Sequence, residues 1–196
     1  MRYIFTTLIL VFLSSCNNDN GFVINGTIDV IDDTKVYILQ ADQNNQPFIK
    51  DSTLVKSNQF SFKGISATPE ISYIQVEGVK GYVLAILEKG EITADIDKNN
   101  ISKSTVFGTV SNDDFVKYKL ETKSLVDNMN SIASSAQDAV MNGDVATAKE
   151  LEKDYNKKER EFLLYEWDFI IDNLDSYMSA LLLEVFMVEN RVNKAS

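Results

Sequence analysis

The stretch TVFGTVSNDDFVKY, Thr105 to Tyr118, is where the chain changes its hydrophobic period. Before it, apolar and polar residues alternate in short runs; after it, apolar residues recur every three or four positions. Alternation places side chains on opposite faces of a strand, whereas steps of three and four place them on one face of a helix. The stretch therefore divides the chain into a β-rich part, residues 22–110, and a helical part, residues 111–190, and predicts an α+β fold.

Working upstream, short runs rich in Val, Ile, Tyr, Phe and Thr occupy residues 22–30, 35–41, 48–56, 59–64, 71–77, 82–88, 91–97 and 105–110. Asp32-Asp33, Ser57-Asn58, Gly78 to Gly81 and Lys89-Gly90 punctuate them with turn chemistry. Short strands at this spacing predict an antiparallel β-sandwich or open barrel.

Downstream, Ser111 and Asp114 have the spacing of a capping box, with Asp in place of the usual Glu or Gln. Phe115, Tyr118, Thr122, Leu125, Met129, Ile132, Ala136 and Ala139 then form one stripe along a helix that Asn142-Gly143 ends. Asp144 can cap a second helix, whose stripe runs through Ala148, Leu151, Tyr155, Phe162, Tyr165 and Phe169, widened by Trp167 and Ile170-Ile171. Two long helices joined by so short a turn predict an antiparallel hairpin. A third, short helix is expected from about Ser176 to Val188, where YMSALLLEVFMV is apolar on nearly every face. It is either buried within the chain or meets something outside it. Leu182, Phe186 and Met187 are the residues proposed for a partner surface, serving homo-oligomerisation or the docking of a separate redox protein.

The N-terminus has its own logic. Arg2, the apolar run Ile4 to Leu13 and the small pair Ser14-Ser15 read as a signal peptide over residues 1–15. Its apolar run is half the roughly 20 residues needed to cross a bilayer. Leu13-Ser14-Ser15-Cys16 resembles the lipobox of bacterial lipoproteins, in which the cysteine is acylated and the peptide is cut just before it. With one Cys and no His in the chain, Cys16 lacks both a redox partner and a base, so lipidation is the expected role. Residues 16–21 become a lipidated tether, and the expected location is the cell envelope, at the outer membrane or its periplasmic face.

Net charge of −10 and a pI near 4.5 exclude the basic surface that nucleic acid or anionic headgroups reward. No P-loop, serine triad, zinc spacing or dinucleotide fingerprint occurs, and no cofactor is expected. Asp95, Asp97 and Asn99 imitate the start of a calcium loop, but Asn100 stands where Gly is needed and Val106 where a bidentate Glu belongs. Asp113 and Asp114 read as first-turn complements to a helix dipole rather than an acid pair. Glu88, Glu91 and Asp95 read as a solvated face. Phe162, Tyr165, Trp167 and Phe169 suit either a ligand groove or, at helical spacing, a core.

The runs GTIDVIDDTKVYILQAD, DSTLVKSNQFSFKG, LEKGEITADI and VFGTVSNDDFVKY together resemble the β-rich DUF4369 domain of Bacteroidota lipoproteins, over residues 22 to about 118 and more loosely to 188. DST-L-V with F-S-F-x-G, and G-T-x-x-N-D, carry the resemblance. It implies a helical stretch after the β-domain and then a thioredoxin-like domain of the thiol-disulfide oxidoreductase and peroxiredoxin type. DNLDSYMSALLLE is similar to the N-P-x-S-Y-x-x-x-L-L segment leading toward that domain, with Leu174 in place of proline. The sequence reaches Ser196 without the C-x-x-C of the redox domain, so no residue matches the family's catalytic cysteines. Two roles follow: a membrane-anchored, non-catalytic binding or scaffold lipoprotein, or an accessory N-terminal part of an oxidoreductase whose catalytic domain is absent or supplied by another chain.

Overall fold

A computed structural model describes residues 21–44 and 46–188. Its strands are β1 (Gly21–Ile28), β2 (Lys35–Ala41), β3 (Pro47–Leu54), β4 (Gln59–Ile65), β5 (Glu70–Val76), β6 (Val83–Leu87), β7 (Gly90–Ile96) and β8 (Thr105–Phe107), followed by helices α1 (Val110–Met141), α2 (Val145–Asp172) and α3 (Tyr177–Val188). A single 3-10 turn, Ile101–Lys103, precedes β8. The fold is α+β, with a sandwich rather than a closed barrel.

The strands form two four-stranded sheets, one in the order β4-β1-β7-β8 and the other β3-β2-β5-β6. Pairing is antiparallel except between β1 and β7, which run parallel in the middle of the first sheet. That exception has a topological cause: the chain leaves β1, passes through the other sheet twice, and returns as β7 by a crossover rather than a hairpin. Ser57 and Asn58, both at positive φ, make the tight turn that carries β3 into β4 and from one sheet to the other.

Alternation does what the sequence pattern demands. Ile24, Ile28, Val36, Ile38, Phe60, Phe62, Ile74, Val76, Ile92 and Ala94 all point between the sheets and form one buried cluster. Gly26 pairs directly with Phe60 across β1 and β4, and a Cβ at Gly26 would fall inside the Phe60 ring, at 1.9 Å from its tip. The glycine is therefore the space that the aromatic ring fills.

The helices build a second core. Tyr118 beside Phe169 and Glu166, and Tyr165 beside Glu121, show α1 and α2 lying antiparallel. In α1 the stripe from Phe115 to Ala139 is the sheltered side, residue for residue. Asp144 caps α2 through the Thr147 amide at 3.0 Å and the Thr147 hydroxyl at 2.7 Å, and the Thr147 amide bond holds its carboxyl below the usual aspartate range. Leu163 joins Phe169 and Ile170 inside, whereas Ile171 faces out.

α3 corrects an expectation. Leu182 is 6 % exposed and Phe186 0 %, packed with Met178, Leu163 and Ile170, so neither is available to a partner in this fold. Met178, Leu182 and Phe186 are four residues apart and make one inward stripe. Met187, at 68 %, is outward together with Leu183 and Val185.

The capping box also differs from expectation. The N-cap is extended Thr109, two residues before Ser111, and α1 begins at Val110. Glu88, between β6 and β7, takes both the Ser111 amide at 2.7 Å and the Ser111 hydroxyl at 2.6 Å, while Asp114 accepts from Ser176 at 2.5 Å. A carboxylate from the sandwich thus does the work assigned to Asp114, and Glu88 is half-buried rather than part of a solvated face.

Two expected outcomes test this architecture. Asn112 is fully buried and bonds both polar groups of Ile86, so Asn112→Leu, which strands them, lowers unfolding free energy by about 2–4 kcal/mol in denaturant titration. Phe186→Ala costs about 3–5 kcal/mol, whereas Met187→Ala stays within about 0.5 kcal/mol of the parent; equal effects would contradict the inward placement of Phe186.

Candidate functional site

The sandwich and the helices meet at Gly108–Asp114, and the chemistry-bearing side chains of that segment hold the meeting together. The Asn112 amide donates to the Ile86 carbonyl at 2.8 Å and accepts from the Ile86 amide at 3.0 Å, so one side chain pairs with the outer edge of β6 as a further strand would. Asn112 also donates to the Thr109 hydroxyl at 2.8 Å. Asp113 accepts from the Gly108 amide at 2.8 Å. Gly108 has φ of 102°, and a Cβ there would lie 2.8 Å from the Glu91 carbonyl oxygen. Every named residue of the G-T-x-x-N-D motif thus has a positional task at this joint.

Beside the joint is a cleft of about 200 Å³. It is lined by buried Val83 from β6 and Val106 from β8, the edge strands of the two sheets, by Ile101 of the 3-10 turn and by Phe115 and Val116 of α1, with exposed Leu120 at the rim. Lys119 stands at the rim, with its ammonium 3.3 Å from the Ser102 carbonyl.

A second feature adjoins it. Register places Ile49, Leu39, Tyr73 and Leu84 side by side across all four strands of one sheet, on the face turned away from the sandwich core. Ile49 is 59 % exposed and the others are half-buried. Tyr82, 60 % exposed, stacks edge-on against Tyr73 at 4.9 Å. The outer face of an antiparallel sheet is ordinarily polar, so this row is unusual. Leu84 and Tyr82 belong both to it and to the cleft, making one continuous apolar surface.

The remaining sequence candidates are spread apart. Asp95 accepts from Thr27 at 2.8 Å on the outer face of its sheet, while Asp97 accepts the amides of Asn99 and Asn100 in a local turn. Among the described residues no three His, Cys, Asp or Glu gather as metal ligands. Phe169 is buried and Phe162, Tyr165 and Trp167 are half-buried; Tyr165 and Trp167 pack on the helical core, Trp167 lying 5.9 Å from Phe186. Burial, with Glu121 beside it, pushes the Tyr165 hydroxyl above its ordinary pKa. Cys16 lies outside the described residues.

Sequence reading missed two polar groups. Asn112 sits in a helical first turn, where nothing in the periodicity marks it as buried. Glu166, 3 % exposed and 2.6 Å from the Tyr118 hydroxyl, was legible: it follows Phe162 by four positions, on the apolar stripe itself. On β5, where Glu70 pairs with Leu87 of β6, Lys50 at 2.7 Å and Gln40 at 2.8 Å hold the Glu70 carboxyl below the usual glutamate range.

Among the described residues no helix is long and apolar enough to cross a membrane. Comparison with curated proteins and with solved structures finds no match. Residues 22–115 match the family model described as a domain of unknown function (DUF4369), a span that takes in both sheets, the joint and α1 as far as Phe115 of the cleft wall; this part of the chain is a DUF4369 domain.

Proposed function

We propose that the protein is a non-catalytic binding lipoprotein of the cell envelope, held to a membrane by acyl chains on Cys16 and presenting its DUF4369 domain as the binding module. The observation that carries the binding role is the apolar band from Ile49 through Leu39 and Tyr73 to Leu84, which runs into the cleft. An apolar surface left open on a folded domain marks a site of contact with something else. The use of side chains supports the non-catalytic part: Glu88, Asn112, Asp113, Asp114 and Glu166 each hold a structural hydrogen bond.

The anchor rests on Leu13-Ser14-Ser15-Cys16 behind a short apolar run. Two acyl chains hold a protein at a membrane where one does so only marginally. Gly21 opens β1 five residues after Cys16, so the tether is short. Any protein partner meeting α3 would touch Leu183, Val185 and Met187, which remain outward.

Fractionation tests the anchor: the parent chain stays with salt-washed membranes, and Cys16→Ser moves it to the soluble fraction. Retention of the substituted chain would refute the lipoprotein assignment. The purified protein is expected to reduce insulin disulfides and to consume peroxide no faster than a heat-killed control, and turnover above that control would refute the non-catalytic one.

A further inference from the structure

We propose that the cleft between β6, β8, the 3-10 turn and α1 binds the tail of a small anionic amphiphile, a carboxylic acid whose carboxylate meets Lys119. The inference rests on the binding-module reading and names the ligand class for it.

Three observations carry it. The walls are apolar: Val83, Leu84, Ile101, Val106, Phe115 and Val116 line the space, and the one deeply buried hydroxyl there, Ser104, already accepts the Asp97 amide at 3.0 Å. A buried polar group with a partner makes no demand on a ligand, so the interior favours hydrocarbon. Size sets the tail. An apolar cavity of about 150 Å³ accommodates one benzene ring, so a cleft of about 200 Å³ suits roughly six to eight carbon atoms. Charge sets the head. Lys119 is the lysine that lines this cleft, and among the described residues its ammonium contacts only the Ser102 carbonyl and no carboxylate. A cation without a counter-charge beside an apolar opening is complementary to an anion with an apolar tail.

The tail enters with its end toward Val83 and Val106, and its carboxylate remains at the surface, where the Lys119 stem lies against the opening. Leu120 and Tyr82 are the exposed rim residues that such a tail would cover.

Calorimetric titration of the full chain carrying Cys16→Ser, in detergent-free buffer, tests this with octanoate, octanol and octylammonium. Octanoate is expected to bind saturably, one per chain, and octylammonium about tenfold or more weaker. Lys119→Gln weakens octanoate by about tenfold and leaves octanol unchanged. Val116→Phe, which fills the cleft, removes octanoate binding. Should that variant melt early, methyl NMR of the unfilled chain replaces it, with octanoate-induced shifts expected at Val83, Val106 and Val116. Absence of saturable octanoate binding at millimolar concentration, indifference to Lys119→Gln, or shifts centred elsewhere would overturn the proposal. Saturable octanol binding that Val116→Phe removes, with no preference for octanoate, overturns the ligand class and leaves the binding-module reading standing, whereas saturation by none of the three counts against both.

Discussion

The pairing of Asn112 with Ile86 is the constraint on which the rest of the structure depends. β6 is an edge strand, and an unpaired edge leaves amide and carbonyl groups that must find partners or solvent. Burying that edge under a helix is only tolerable if the helix brings its own donor and acceptor. Asn112 brings both in one planar amide, and Glu88 completes the arrangement by neutralising the start of α1 from the sandwich side. Together these bonds set where α1 leaves the sandwich, and with it the hairpin and α3.

The sandwich was legible because its information is local. Each inward residue of β1, β2, β5 and β7 sits two positions from the next, and the turn residues between them have the backbone chemistry that turns need. The parallel pairing of β1 with β7 was not legible, since alternation fixes a residue's face and says nothing of its neighbour strand. Nor could composition show that Ser111 would be capped from Glu88, a contact 23 residues away in sequence.

The helical half shows the converse. Spacing gave the α1 stripe correctly, yet α3 was read as covered on more than one side, within the chain or by something outside it, because its residues are apolar on nearly every face. Met178, Leu182 and Phe186 are turned inward with Leu163 and Ile170, Leu181 packs beside them, and Leu183 and Val185 stay half-exposed. Hydrophobicity alone measures what a side chain gains by burial; which of several equal candidates is buried depends on the neighbour available. Glu166 is the opposite case, a charged residue on the stripe that Tyr118 makes tolerable.

The cleft follows from the same geometry as the joint. β8 is three residues long against five in β6 and contributes a single inward side chain, Val106, so the edge of the first sheet is shorter than the edge its partner sheet presents through β6. The space between the two edges is left for α1 to cover, and α1 is already fixed at one end by Asn112. Phe115 and Val116, about one turn beyond Asn112, line the space together with Val83 and Val106, and Leu120 follows a turn later. The opening thus lies beside the tie between sandwich and hairpin, and the family-matched segment, ending at Phe115, contains the tie and the lining residues from Val83 to Phe115.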